Sequence, residues 1–159
     1  MAPATYHKCS NTELHVSDAG VSDEEPSLYV GLNVANGDTA LTDDERAVLD
    51  VGSQLAVIMG IAVNFTPPGD SLSRNQITSM LTGTYQDWSQ VDSSLSGPVH
   101  VQRRVNGSGT QAGANMWFGA YPCSYGQLVP ADDLASVPGG YTVVLNSASG
   151  GVKSGLNAD

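Results

Sequence analysis

The sequence predicts an α/β fold with ligands at the strand-to-helix turns. Three observations carry this. Two Ser/Thr-x-x-Glu/Gln capping boxes open amphipathic stretches. Runs rich in β-branched residues alternate with those stretches. Glycine and proline, 18 and 8 of 159 residues, punctuate the junctions.

Residues 1 to 40, rich in Ser, Asp, Asn and Gly, read as loops around short strands. Thr42 with Glu45 is the first capping box, and Val48, Leu49 and Val51 extend it to a helix over about 43–51. The run from Leu55 to Phe65 is too apolar for a half-exposed strand and reads as a buried one, with Gly60 as a point of interruption. After the turn Thr66-Pro67-Pro68-Gly69-Asp70, Ser73 and Gln76 start a second helix. Ile77, Met80 and Leu81 share one of its faces, and Gly83 stands where a C-cap glycine belongs. Val99, Val101 and Arg103 alternate with His100, Gln102 and Arg104 as a strand does, and the strand runs into the loop Val105-Asn106-Gly107. A third helix begins at Ser108 to Thr110 and ends before Tyr121-Pro122, with Met116 and Trp117 expected in the core. Tyr141 to Leu145 is a strand. Asn146 to Gly151 then enters a helix expected to be mostly missing, because the chain stops at Asp159.

Composition excludes several classes. Six Lys and Arg against sixteen Asp and Glu give a net charge of −10, too few cations to neutralise nucleic-acid phosphates. Any anion must therefore be held by local donors, against the overall field. The longest apolar run, Leu55 to Val63, is far short of the roughly 20 residues a membrane span needs. No signal peptide is visible at Met1 to Tyr6. Cys9 and Cys123 read either as one long-range disulfide or as two buried thiols.

No nucleophile elbow, P-loop or H-E-x-x-H motif occurs, so an enzyme is not expected, nor is a cofactor. His7, Cys9 and His15 match no standard zinc spacing, and no metal is expected. His100 reads as a structural or surface histidine. The acidic groups Asp23-Glu24-Glu25 and Asp132-Asp133 read as solvated charge. The segment Arg103-Arg104-Val105-Asn106-Gly107-Ser108-Gly109-Thr110 offers more chemistry. Its glycines permit close backbone approach, a helix N-terminus presents free N–H groups, hydroxyls add donors, and Arg104 supplies a charged fork. By composition alone the simpler reading is an N-capped helix after an exposed turn, since short glycine motifs match often by chance.

Leu72-Ser73-Arg74-Asn75-Gln76-Ile77, Leu81-Thr82-Gly83, Asp87-Trp88 and the Arg104 to Thr110 loop together resemble, in order and spacing, the phosphate-binding branch of the type 2 periplasmic solute-binding proteins. Gly20-Val21-Ser22-Asp23-Glu24-Glu25-Pro26 is similar to that family's G-x-S-D-x-P loop, and Asn146 to Val152 to its later N-S-G-V helix start. The resemblance implies oxyanion contacts from Arg104, Ser108, Gly109 and Thr110, with Asp23, beside Ser22, accepting from a protonated phosphate oxygen. Asn106 stands where the family usually has aspartate. Family members have two lobes, so the resemblance implies an incomplete two-lobe architecture. Residues 1–65 are then part of a first lobe with its crossover strand, and 66–159 a second lobe carrying the anion loop.

The implied function is a periplasmic or secreted, non-enzymatic module that captures phosphate or a related oxyanion for an ABC-type transporter permease. The sequons Asn64-Phe65-Thr66 and Asn106-Gly107-Ser108, the second on the anion loop itself, favour an unglycosylated bacterial source. The alternative expectation is an extracellular structural subunit that keeps the lobe and self-associates through unpaired strand edges.

Overall fold

The computed structural model describes residues 20–52, 56, 58–64, 71–123 and 140–158. These form a mixed α/β arrangement. Four α-helices, α1 (Asp43–Ala47), α2 (Arg74–Leu81), α3 (Gly109–Gly119) and α4 (Ser149–Ala158), accompany two strands, β1 (His100–Arg104) and β2 (Thr142–Asn146). Single 3-10 turns lie at Pro26–Leu28, Gly31–Asn33 and Trp88–Gln90.

The strands pair in parallel with Val101 opposite Val143 and Arg104 opposite Asn146. A parallel pair requires a crossover, and α3 lies within it. Strand alternation then divides the layers. Val101 and Arg103 are buried, and Val101 joins Val99, Met80, Tyr141 and Val143 in the core, against which Ile77, Leu81 and Trp88 pack. Helix α2 contacts α3, α3 contacts β1, and α4 contacts both strands.

Both capping boxes are present: Thr42 and Ser73 each accept from the backbone of the third helical residue, whose side chain bonds back. Gly83 has φ +74°, the left-handed conformation expected past the end of α2. Tyr141 Oη donates to the Met80 carbonyl at 2.7 Å, tying the entry of β2 to α2. Burial pushes its phenol up to about 12, against an opposing effect of Arg103. A raised acid pKa leaves stability intact below the ordinary tyrosine value of 10.0 and removes it as pH rises through about 12. Tyr141→Phe is expected to lose about 1 kcal/mol at neutral pH for the missing hydrogen bond. It should also flatten the alkaline fall in stability, as measured by urea unfolding between pH 8 and 11. An unchanged alkaline slope would assign that fall to another group.

Several expectations are corrected. The helix over 43–51 stops at Ala47, and Val48, Leu49 and Val51 are exposed; among the described residues no element covers the face that would sustain it. The buried strand over 55–65 does not form across its described residues, 56 and 58–64. They pair with neither β1 nor β2, and Ile58 and Ile61 are exposed. Trp117 is 62% exposed rather than core; Ala112, Gln111, Asn115 and Gly119 form the buried face of α3. The final helix, α4, runs over 10 residues. Among the described residues, no helix is long and apolar enough to cross a membrane.

Candidate functional site

The end of β1 turns into α3 through a tight corner. Ser108 N–H donates to the Val105 carbonyl at 3.3 Å, and Gly107 between them has φ +82°. Ser108 is the N-cap of α3, yet its hydroxyl makes no capping bond. The first N–H groups of any helix lack intrahelical acceptors, and those of Gly109 and Thr110 stand at the positive end of the α3 dipole. Ser108 and Gly109 are buried, Thr110 is exposed and Asn106 is half-buried.

The acidic segment, remote in sequence, meets this corner. A Cβ built on Gly109 would lie 2.7 Å from Asp23 Cβ and 3.0 Å from both Asp23 Oδ2 and Tyr29 Oη. Glycine is thus what allows the Asp23 carboxylate to approach the first turn of α3. Ser22 Oγ is 3.2 Å from Tyr29 Oη and accepts from Glu24 N–H at 3.3 Å. An open cleft of about 770 Å³ adjoins, lined by Asp23, Glu24, Met59, Thr110 and Trp117 among others. Burial, and then the neighbouring Asp23 charge, push the Glu24 carboxyl up. Carboxylates at this mouth repel a fully ionised anion but accept a hydrogen bond from the O–H of a partly protonated one.

The structure brings Asp23, Gly109 and Thr110 together, with Ser22 in the same loop. It engages Arg104 elsewhere. The Arg104 guanidinium donates to the Asn146 carbonyl at 3.2 Å, the Ser147 carbonyl at 3.0 Å and Ser149 Oγ at 2.9 Å, joining β2 to the start of α4. His100 is exposed, with Nδ1 2.6 Å from Thr142 Oγ1. Cys123 is exposed, against the reading of it as a buried thiol, whereas Cys9, His7, His15, Asp132 and Asp133 lie outside the described residues, as do the disulfide and zinc readings that depend on them. Among the described residues no group of three His, Cys, Asp or Glu side chains is placed to hold a metal.

Sequence reasoning missed Tyr29, Asn33, Gln111 and Asn115. Each is a polar residue buried or half-buried by tertiary contact, and only a polar residue on the apolar face of a helix, as at Gln111 and Asn115, would have signalled it. No family model, no curated protein and no solved structure matches this chain.

Proposed function

We propose that this chain is a solute-binding module, resembling the phosphate-binding branch of the type 2 periplasmic solute-binding proteins, that captures phosphate or a related oxyanion outside the cytoplasm for an ABC-type permease. The observation that carries the reading is the approach of Asp23 to Gly109 at the start of α3. Backbone N–H groups and the Thr110 hydroxyl supply donors, and Asp23 supplies the acceptor that a hydrogenphosphate oxygen requires. No bond is made or broken. Arg104 stands at the matching motif position, but its charge reaches the anion only by giving up its three bonds to the β2–α4 corner.

Isothermal titration with phosphate at low ionic strength tests the site, with sulfate as the competitor lacking a proton to donate. Thr110→Val is expected to weaken phosphate binding about tenfold, and Asp23→Asn to narrow the preference for phosphate over sulfate. Unchanged affinity in Thr110→Val would remove the assignment.

A second reading, a structural subunit that self-associates, has its own observation. Val48, Leu49, Val51, Ile58 and Ile61 are exposed, and among the described residues the two-stranded sheet leaves both outer edges unpaired. Light scattering on dilute protein separates the two: a monomer favours the receptor, large particles the subunit.

A further inference from the structure

A set of buried amides on α3 and the Gly31–Asn33 turn has no part in the ligand contacts described above. Gln111, Asn115 and Asn33 are 6%, 3% and 1% exposed. They form one directed chain. The Arg104 backbone N–H donates to Gln111 Oε1 at 3.1 Å, and Gln111 Nε2 donates to Asn115 Oδ1 at 2.8 Å. Asn115 Nδ2 donates to Asn33 Oδ1 at 2.8 Å, and Asn33 Nδ2 donates to the Leu28 carbonyl at 2.7 Å. Every amide donates in the same sense, so reversing any one sets two donors or two acceptors face to face.

The chain starts at the last residue of β1, crosses α3 and ends in the segment that carries Asp23. Among the described residues, Val21, Ser22 and Asp23 of that segment are exposed. Lifting it from α3 would leave Asn115 Nδ2 and Asn33 Oδ1 without each other, a buried donor and a buried acceptor whose lost partner is costly. A second tie runs parallel: Tyr121 Oη donates to the Val30 carbonyl at 3.1 Å and accepts from Leu32 N–H at 3.0 Å.

We propose that Gln111, Asn115 and Asn33 are positioning residues that anchor the Asp23 segment to α3, so that recognition at Gly109 and Thr110 is set by side chains that do not touch the ligand. The consequence for recognition rests on the oxyanion reading; the anchoring does not.

Two readouts on the full chain separate them. Amide hydrogen exchange follows Leu28, Tyr29 and Val30, whose N–H groups bond to the carbonyls of Glu25, Pro26 and Leu28. In Asn115→Ala their exchange is expected to rise at least about tenfold while Val101 and Val143 in the sheet keep their protection. No rise, or an equal rise in the sheet, overturns the anchoring. Asn33→Ala, which removes the same link from the other side, should reproduce the pattern if Asn115→Ala fails to fold.

Titration with inorganic phosphate supplies the second readout. Asn115→Ala is expected to lose about tenfold in affinity, and adding Asp23→Asn to it should lower affinity no further, because both act through one carboxylate. Additive losses would overturn the coupling to recognition. An absence of heat with the unmodified protein would overturn the oxyanion reading and leave the exchange experiment to decide the anchoring.

Discussion

Gly31→Ala is expected to destabilise the protein by roughly 3 kcal/mol, the largest stability effect of any substitution considered. Gly31 has φ +50°, where an L side chain costs roughly 1–2 kcal/mol. Its added Cβ would also overlap Tyr121 Oη. That hydroxyl has no easy retreat, because it is bonded to Val30 O and Leu32 N at once. Relieving the overlap breaks these bonds, at about 1 kcal/mol each. Urea unfolding should therefore show a midpoint about 1 M or more below the parent, given a slope of roughly 1–3 kcal/mol per M. Gly150→Ala is the control. Its Cβ meets nothing within 4 Å and it lies within α4, so alanine there should be neutral or slightly stabilising. A midpoint for Gly31→Ala equal to that of the control would mean that the Tyr121 contact does not hold the 3-10 turn in solution.

Gly109→Ala is expected to weaken phosphate binding by about 10- to 100-fold while costing much less stability than Gly31→Ala. The two glycines differ in what their Cβ would meet. At Gly109 the obstacles are Asp23 Cβ and Oδ2 and the Tyr29 hydroxyl; Asp23 is exposed, so its loop can shift toward solvent, and the left-handed backbone strain of Gly31 does not arise. The site does not share that tolerance. A methyl group beside the first turn of α3 separates the acceptor carboxylate from the N–H donors and the Thr110 hydroxyl, and a displaced charged partner forfeits roughly 1.5–3 kcal/mol. Calorimetric titration of the variant, paired with its unfolding midpoint, checks both halves. Affinity within twofold of the parent would show that the approach of Asp23 to Gly109 plays no part in recognition.

Local chemistry was legible wherever a few adjacent residues decide the outcome. Ser73 with Gln76, Thr42 with Glu45, Gly83 at φ +74° and the alternation from Val99 to Arg104 all appear where they were expected. Each depends on interactions spanning four residues or fewer, or on a period of two. The start of α3 after Asn106-Gly107 was legible for the same reason. Apolar content misled at Val48, Leu49, Ile58 and Trp117, where hydrophobic side chains stand exposed. Apolarity says that burial would be favourable; whether a partner surface is there to receive the side chain is a property of the fold.

The same division holds for the candidate site. The sequence by itself determined that a strand carrying arginines would run through glycines and hydroxyls into a helix start, and that an acidic loop exists upstream. Only the tertiary structure decided that Asp23 comes against Gly109, that the Arg104 guanidinium faces the β2–α4 corner, and that Asn33 closes an amide chain with Asn115 and Gln111. The physical reason is range. Capping, turn conformation and strand alternation are settled among near neighbours in the chain, whereas a carboxylate against a distant helix start depends on closing a long loop, and the burial that compensates the entropy of closure exists only once the layers have packed.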